Sequence, residues 1–279
     1  MIKKYNFESK FKLANLISIL LVIGSLLLIL FKGLNFGVDF KGGTLIEARV
    51  DVNQIRIGDI RQSLLKMNLG DITVKKFGKE GDYLIKIEKS DIDDNSFIEK
   101  INKNLSDDLA SEINFRRVEN VGPKVSGELL KAGLLAISFS LAAMLIYIWI
   151  RFEWQFSLGA IAALIHDVII TVGIFSFLSY EVNLSIVAAV LTIVGYSMND
   201  TVVIFDRIRE NLKKYSKIPI PDLSNISINE TLSRTLITSI TTLLALFSIY
   251  VFGGAILKGF SFAMIIGVIV GTYSSIFVA

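Results

Sequence analysis

The chain has 279 residues, of which 52% are hydrophobic, against roughly 45–50% in soluble domains even with glycine counted, and its mean hydropathy is +0.59. The formal net charge of +3 does not favour a nucleic-acid-binding protein. Cysteine is absent, which excludes disulfides, zinc–thiolate sites and thiol redox chemistry within the chain.

Six apolar segments are about 20 residues long, the length that a helix needs to cross ~30 Å of hydrocarbon. They are Leu13–Phe31, Ala132–Ile150, Phe156–Leu178, Val182–Phe205, Leu232–Phe252 and Phe260–Ala279. The first segment follows several lysines, as a signal peptide does, but its length and the lack of a cleavage pattern favour an uncleaved helix. The sequence therefore predicts a polytopic α-helical membrane protein with six transmembrane helices.

Lysine and arginine near the helix ends predict the orientation, because these residues concentrate in cytoplasmic loops. With a cytoplasmic N-terminus, the inner segments hold Lys3, Lys4, Lys10, Lys12, Arg151, Arg207, Arg209, Lys213, Lys214, Lys217 and Arg234, and the short outer loops hold Lys258. The predicted organisation is a cytoplasmic N-terminus with the first helix (1–32), an extracytoplasmic domain (33–131) and five further helices (132–279) that include a cytoplasmic loop (206–231).

The predicted outer domain carries nearly equal numbers of acidic and basic residues, as a soluble surface does. Hydrophobic periodicity predicts strands at Leu45–Val50, Asp71–Phe77, Tyr83–Glu88 and Ile113–Val118, and helices at Ile57–Met67 and Ser96–Leu109. The order β-α-β-β-α-β predicts an α+β ferredoxin-like domain. This fold does not by itself indicate a function.

The predicted cytoplasmic loop starts with a charged segment, Asp206–Lys213, which should continue the fourth helix. Pro219 and Pro221 are expected to break that helix. Ser227–Glu230 matches a capping box, which would start the fifth helix near Ile228, before its apolar run.

Four ionisable residues lie within the predicted spans: His166, Asp167, Asp200 and Arg234. A charge in mid-membrane costs ~2.5–3.5 kcal/mol on insertion scales, so each is a candidate functional residue. Asp200 lies six residues before the predicted exit of its helix at Asp206, and Arg234 lies six residues after the predicted start at Ile228. Each is therefore about 9 Å along its helix, and antiparallel neighbours would bring both charges to a similar depth.

The pair of Asp200 and Arg234 allows two interpretations. The carboxylate could release and regain a proton as water access changes, or the pair could be a static salt bridge that locks two helices. The polar residues that share these two helix faces are Tyr196, Asn199, Thr231, Thr235, Thr238 and Thr242. Their hydroxyls could order a file of water, or could simply hold the helices together.

His166 and Asp167 lie midway along the third predicted span. They are either a neutral histidine bonded to a neighbouring helix or a second relay station, and no partner is identifiable from the sequence. Motifs for nucleotide binding, metal binding and nucleophilic hydrolysis are absent from the sequence. We therefore predict no catalytic residue, no metal and no cofactor, and expect a non-enzyme that is driven by a partner or an ion gradient.

Five motifs follow one another along nearly the whole chain. They are Phe36–Thr44, Val121–Val125, Arg151–Glu153, Gly195–Asn211 and Ser233–Leu236. Together they resemble the SecF branch of the SecD/SecF family, which belongs to the RND superfamily. The first two motifs contain Asp39, Gly42, Gly43, Gly122 and Pro123. By a purely local interpretation, the glycine pair is a turn that needs positive φ, and the Gly-Pro pair ends the domain and starts a helix.

The resemblance implies an accessory subunit of the Sec protein-export machinery in the bacterial inner membrane, with domain 33–131 in the periplasm. The implied partners are SecD, the SecYEG channel, YajC and the translocating preprotein. Such proteins use the proton-motive force for late, ATP-independent movement of preproteins. The family's proton-passage residues match Asp200 and Arg234, with H⁺ as the expected coupling ion and Na⁺ as an alternative.

Two other functions remain open at this stage. One is an RND-type half-transporter that exports a small apolar compound or lipid, and six spans with one outer domain suit half of such a pump. The other is a passive scaffold that stabilises a complex. Co-purifying export subunits would favour the Sec function, whereas bound lipid or drug would favour the half-transporter.

Overall fold

A computed structural model describes residues 5–50, 55–67, 69–76, 80–88, 95–215 and 217–279, with the backbone alone at 95, 96, 255 and 256. Lys3, Lys4 and Phe77 lie outside the described residues. The chain divides into two compact units, an α/β unit of Phe36–Leu134 and a helical unit of Met1–Asn35 with Leu135–Ala279.

The described elements alternate between long helices and one strand-rich region. In chain order the helices are α1 (Glu8–Lys32), α2 (Val38–Lys41), α3 (Ile57–Leu65), α4 (Asn95–Leu109), α5 (Pro123–Arg151), α6 (Trp154–Leu178), α7 (Leu184–Lys214), α8 (Ile220–Phe252) and α9 (Gly254–Phe277). The strands are β1 (Asn35–Phe36), β2 (Gly43–Val50), β3 (Ile72–Lys76), β4 (Asp82–Ile87), β5 (Ile113–Val121) and β6 (Glu181–Val182).

Six of the described helices, α1 and α5 to α9, contain segments long and apolar enough to cross a membrane. The six predicted spans are therefore confirmed as helices, and a polytopic membrane protein fits the structure. Within the helical unit, α6, α7 and α9 bury about half of their most apolar stretch, whereas α1 and α8 stay largely uncovered. Their exposed apolar side chains are of the kind that face lipid or another membrane protein.

The predicted start of the fifth transmembrane helix near Ile228 is wrong, because α8 begins at Ile220. Pro221 lies in the first helical turn, where a missing N–H leaves no bond unmade, so it helps to start the helix rather than to break one. Ser227 lies inside α8 and donates a hydrogen bond to the carbonyl of Leu223 at 2.8 Å. Much of the predicted loop 206–231 is therefore helical.

The α/β unit contains a four-stranded antiparallel sheet in the order β3-β4-β2-β5. The described strands and helices follow the predicted order β-α-β-β-α-β. Along β2 the buried side chains alternate at Ile46, Ala48 and Val50, which is the period of a strand with one face on a core. Residues of α3 and α4, including Ile60 and Leu105, complete that core.

Candidate functional site

Asp200 is a carboxylate in the interior of the helical unit. Its residue is 3% exposed, and it lies on the buried face of α7 together with Ser197 and Ile204, at the spacing of one helical stripe. Within the described part of the chain, Asp200 Oδ2 has no hydrogen-bond partner. An unmade hydrogen bond on a buried polar atom costs about 1–3 kcal/mol, and more for a charged group.

Arg234 lies on α8 and interacts electrostatically with Asp200, as do the hydroxyls of Thr238 and Ser239. The two predicted charges are thus brought together across the contact of α7 with α8. They do not form a salt bridge within 4.0 Å in the described structure. Arg234 is exposed to a cavity of about 580 Å³ at the end of the helical unit where α7 ends and α8 begins, here called the loop end.

The other polar residues predicted on these two helices differ in what their side chains do. Thr231 and Thr238 donate to backbone carbonyls of their own helix, at 3.0 and 3.1 Å for the bonds to the residue four positions earlier. Thr235 is 1% exposed and, like the Tyr196 hydroxyl, is buried without a hydrogen-bond partner in the described residues. Asn199 is exposed.

Three unpartnered buried polar atoms of the described residues lie on α7 and α8. Asp200 Oδ2, Tyr196 Oη and Thr235 Oγ1 are buried polar atoms that the described chain does not satisfy. Such atoms are few in native proteins, and each requires an explanation. The half-buried Thr242 lies two turns further along α8. The threonine hydroxyls of α8 are thus only partly used for hydrogen bonds to the helix backbone, because the Thr235 hydroxyl makes none in the described residues.

Asp167 has the partners that the sequence did not reveal. Its carboxylate is fully buried, and Asp167 Oδ2 accepts hydrogen bonds from Ser197 of α7 at 2.6 Å and from Ser274 of α9 at 2.8 Å. Gly271 permits this approach, because a Cβ there would lie 3.0 Å from the Ser197 Cβ. One acid on α6 thereby ties three helices together.

The described hydrogen bond of His166 lies within its own helix, whereas one interpretation expected a bond to a neighbouring helix. Its Nδ1 lies 2.9 Å from Asp167 Oδ1, on the same helix, and its buried Nε2 has no partner in the described part of the chain. The imidazole stacks on the Tyr273 ring, with centroids 6.2 Å apart. Tyr273 in turn donates to the Ala14 carbonyl of α1 at 2.7 Å.

Several serine and threonine hydroxyls connect α7 and α9 near Asp167 and Asp200. Ser197, which holds Asp167, precedes Asp200 by three residues and so lies next to it on α7. Thr201 Oγ1 lies 2.9 Å from Ser275 Oγ, and Ser275 also bonds the Ser197 carbonyl at 3.2 Å. Ser197, Ser274, Ser275 and Ser239 were missed as candidates, since serine is common in membrane helices and carries no distinctive spacing.

The loop motifs lie in the α/β unit. Gly42 and Gly43 have φ of +78° and +119°, and a Cβ on Gly43 would lie 2.5 Å from the Ile87 carbonyl oxygen. This geometry agrees with their interpretation as a turn. Pro123 begins α5, and Ser126 N–H bonds the Gly122 carbonyl at 3.0 Å, so this pair starts a helix.

Asp39, the remaining residue of the first loop motif, is partly buried in the short helix α2. The turn of α2 closes on the backbone, where Gly42 N–H donates to the Val38 carbonyl at 2.9 Å. The motif therefore has a clear local structural role.

Family comparison extends over most of the chain. A family described as "Protein export membrane protein SecD/SecF, C-terminal" matches residues 101–279, and "SecD/SecF GG Motif" matches residues 27–53. The second match contains the glycine pair, and the first contains the acids and the arginine of the helical unit.

Relatives of similar length share close to half of their residues with this chain. "Protein translocase subunit SecF" of Rickettsia bellii is 45% identical over 277 residues, which cover 99% of this chain and 91% of the relative. The protein of the same name from Vibrio alginolyticus is 45% identical over 278 residues, which cover 99% and 88%.

Two solved structures share the fold. The crystal structure of SecDF from Thermus thermophilus, described as a translocon-associated membrane protein, has a TM-score of 0.88 and 33% identity. SecDF in a super-membrane-facing form has a TM-score of 0.70 and 32% identity. The present chain spans only 37% and 38% of those two longer chains.

Proposed function

The chain belongs to the SecF family of protein translocase subunits, and we propose that it works with SecD to couple the proton-motive force to protein export. In this proposal it acts late and without ATP, moving preproteins that the export channel has already engaged. The observation that carries the proposal is that Asp200 of α7 is buried, has one carboxyl oxygen with no hydrogen-bond partner in the described residues, and interacts with Arg234 of α8.

The chemistry of this pair suits a site that takes up and releases a proton. Burial of a carboxyl group favours its neutral form, whereas a nearby guanidinium favours the carboxylate. Asp200 is subject to both influences, so a small change in helix spacing or in water access changes the balance between them. When the proton leaves, attraction to Arg234 draws α7 and α8 together, and when it returns that attraction is lost.

The second acid site is proposed as a supporting relay. Asp167 and His166 are buried in α6, and Ser197 bridges from Asp167 to the helix face that carries Asp200. Tyr196, with its unpartnered hydroxyl, lies on the same helix. We propose H⁺ as the ion that couples at these residues. Imposing a Na⁺ gradient in place of a proton gradient distinguishes the two ions.

The proposed orientation puts the loop end in the cytoplasm of a bacterial cell and the α/β unit in the periplasm. Clustered arginines at the loop end, among them Arg151, Arg207 and Arg209, support it. We propose that the α/β unit is a ferredoxin-like domain, because its strand order β3-β4-β2-β5 and its element order have that topology.

The proposed partners follow from the relatives. SecDF is one chain in the two solved structures and is described as translocon-associated in one of them, which supports pairing with a separate SecD and work beside the SecYEG channel. YajC and the preprotein are further proposed partners. Exposed apolar side chains on α1, α5 and α8 leave room for such contacts within the membrane.

The test compares two aspartate-to-asparagine variants on the same helix. In membranes that contain the whole export complex, Asp200→Asn should abolish the uncoupler-sensitive part of late export while the protein stays inserted. Asp206→Asn is the matched control, since Asp206 is partly exposed and bonds Arg151 at 3.0 Å. Normal uncoupler-sensitive export by Asp200→Asn would refute the proposal.

A further inference from the structure

A cluster of polar side chains, here called the latch, joins α7 to α8 at the loop end. Arg207 Nε donates to Glu230 Oε2 at 2.7 Å, and Asn211 Nδ2 donates to the same oxygen at 2.8 Å. Asn211 is 2% exposed and also donates to Ser227 Oγ at 3.0 Å. Because Arg207 and Asn211 belong to α7 and Glu230 to α8, each of these bonds holds the two helices together.

Along both helices, the latch lies between the α7–α8 connection and the Asp200–Arg234 pair. Glu230 precedes Arg234 by four residues on α8, and Arg207 follows Asp200 by seven residues on α7, so each shares a helix face with one member of the pair. At 1.5 Å per residue, Glu230 and Arg207 lie about 6 and 10 Å nearer the loop end than those two residues.

The cavity at the loop end shows how far solvent can approach Asp200 and Arg234. Its lining includes Arg207, Glu230, Thr231 and Arg234, so Arg234 faces the open space. One helical position further, Thr235 is 1% exposed, and Asp200 is 3% exposed. The route from the loop end is therefore open to the arginine and closed at the acid, and the latch spans the two helices that would have to separate for it to open.

Among the described residues, the other ion pairs near the latch involve α7. Arg207 also pairs with Glu210 of its own helix at 2.8 Å, and Asp206 pairs with Arg151 of α5 at 3.0 Å and with Arg209 at 3.5 Å. These contacts anchor the α7 side, whereas on the α8 side Glu230 is the acid that the latch holds.

We propose that the latch is the cytoplasmic gate of the Asp200 site, and that Arg207, Glu230 and Asn211 set how readily water and protons pass Arg234. The gate rests on the proposed proton-coupling function and adds a regulating contact to that same site. Its charged members are about one-third exposed. Separating an ion pair with that much solvent contact costs little free energy. Such a pair can therefore open and close repeatedly, as a gate requires.

Because the chain has no native cysteine, the accessibility of a single introduced cysteine tests the gate directly. A single cysteine is introduced by Thr235→Cys in the full chain with its partners in membranes, and its reaction with a membrane-impermeant thiol reagent is timed from the cytoplasmic side. Adding Glu230→Gln should speed the reaction about two- to fivefold, the range for losing one partly exposed ion pair.

Glu210→Gln is the matched control. It removes a carboxylate that pairs with the same Arg207 at a similar distance, 2.8 Å against 2.7 Å for Glu230, but within α7, so it should leave the labelling rate unchanged. Arg207→Gln breaks the interhelical pair from its other side and should accelerate labelling as Glu230→Gln does. If Glu230→Gln fails to accumulate in the membrane, Arg207→Gln alone tests whether breaking the interhelical contact speeds labelling.

Equal labelling rates in the parent and in both latch variants would overturn the gate. So would an equal acceleration by Glu210→Gln, because the effect would then come from charge rather than from the interhelical contact. Labelling is measured without export, so a failed gate leaves the proton-coupling proposal standing. Normal export by Asp200→Asn with faster labelling in the latch variants would instead reject proton coupling alone.

Discussion

The bonds around Asp167 allow a quantitative prediction about how the helical unit is held together. Ser197→Ala removes one of the two serine hydroxyls that donate to Asp167 Oδ2. A hydrogen bond to a charged group contributes about 1.5–3 kcal/mol in soluble proteins, whereas side-chain hydrogen bonds within membranes average about 0.6 and reach about 1.7 kcal/mol. We expect Ser197→Ala to lower the free energy of unfolding by about 1–2 kcal/mol, within these ranges.

Ser157→Ala provides the matched control, because Ser157 is equally buried, at 4% exposure, yet its hydroxyl has no partner among the described residues. Removing an unsatisfied hydroxyl should leave stability unchanged or raise it slightly. The assay is reversible unfolding of the purified protein in detergent or bicelles, followed by helix content. Equal effects of the two substitutions would refute the idea that the Asp167 bonds stabilise the bundle.

The double variant Ser197→Ala/Ser274→Ala tests whether the two donors share one acceptor. Since both bond Asp167 Oδ2, their effects should not add, and the coupling should fall in the 0.5–3 kcal/mol range typical of contacting residues. Additive losses would mean that the serines contribute independently. Repeating the cycle in an Asp167→Asn background should greatly reduce both effects.

Three further outcomes are expected. Gly43→Ala should impair folding of the α/β unit, because φ is +119° and the new Cβ would lie 2.5 Å from a carbonyl oxygen, whereas Gly122→Ala meets nothing within 4 Å and should accumulate normally. Hydrogen bonds from Lys66 and Ser63 lower the pKa of Asp108 from its usual 3.8. The ionised Asp108 therefore stabilises the fold above pH 3.8, and this stabilisation is lost as the pH falls through the lowered pKa. Asp108→Asn should weaken the acid sensitivity of unfolding. Arg234→Met should abolish uncoupler-sensitive export in inserted protein, whereas a passive scaffold would tolerate it.

The six spans were predictable because a bilayer demands a fixed length of apolar helix, whatever the helices do with one another. The strands of the α/β unit were predictable from period-2 alternation in segments such as Leu45–Val50, whereas their order in the sheet is known only from the structure. The start of α8 was not predictable from the same rules. Pro219 and Pro221 mark either an end or a beginning of a helix, and only the structure places Pro219 at the N-cap and Pro221 in the first turn of α8.

The sequence argument placed Asp200 and Arg234 at similar depths by counting from Ile228, which is not where α8 begins. The interaction of the two residues in the structure supports the pairing but not that count. The partners of Asp167 were beyond the reach of the sequence, because Ser197 and Ser274 become recognisable only once the packing of three helices is known.

Proton flux measures the central role of Asp200 without relying on export. The chain is reconstituted with SecD in proteoliposomes, a membrane potential is imposed, and proton entry is followed for the parent, Asp200→Asn and Asp206→Asn. We expect flux in the parent and in Asp206→Asn and its loss in Asp200→Asn. Equal flux in all three would show that the buried acid carries no proton, and would contradict the proposed coupling.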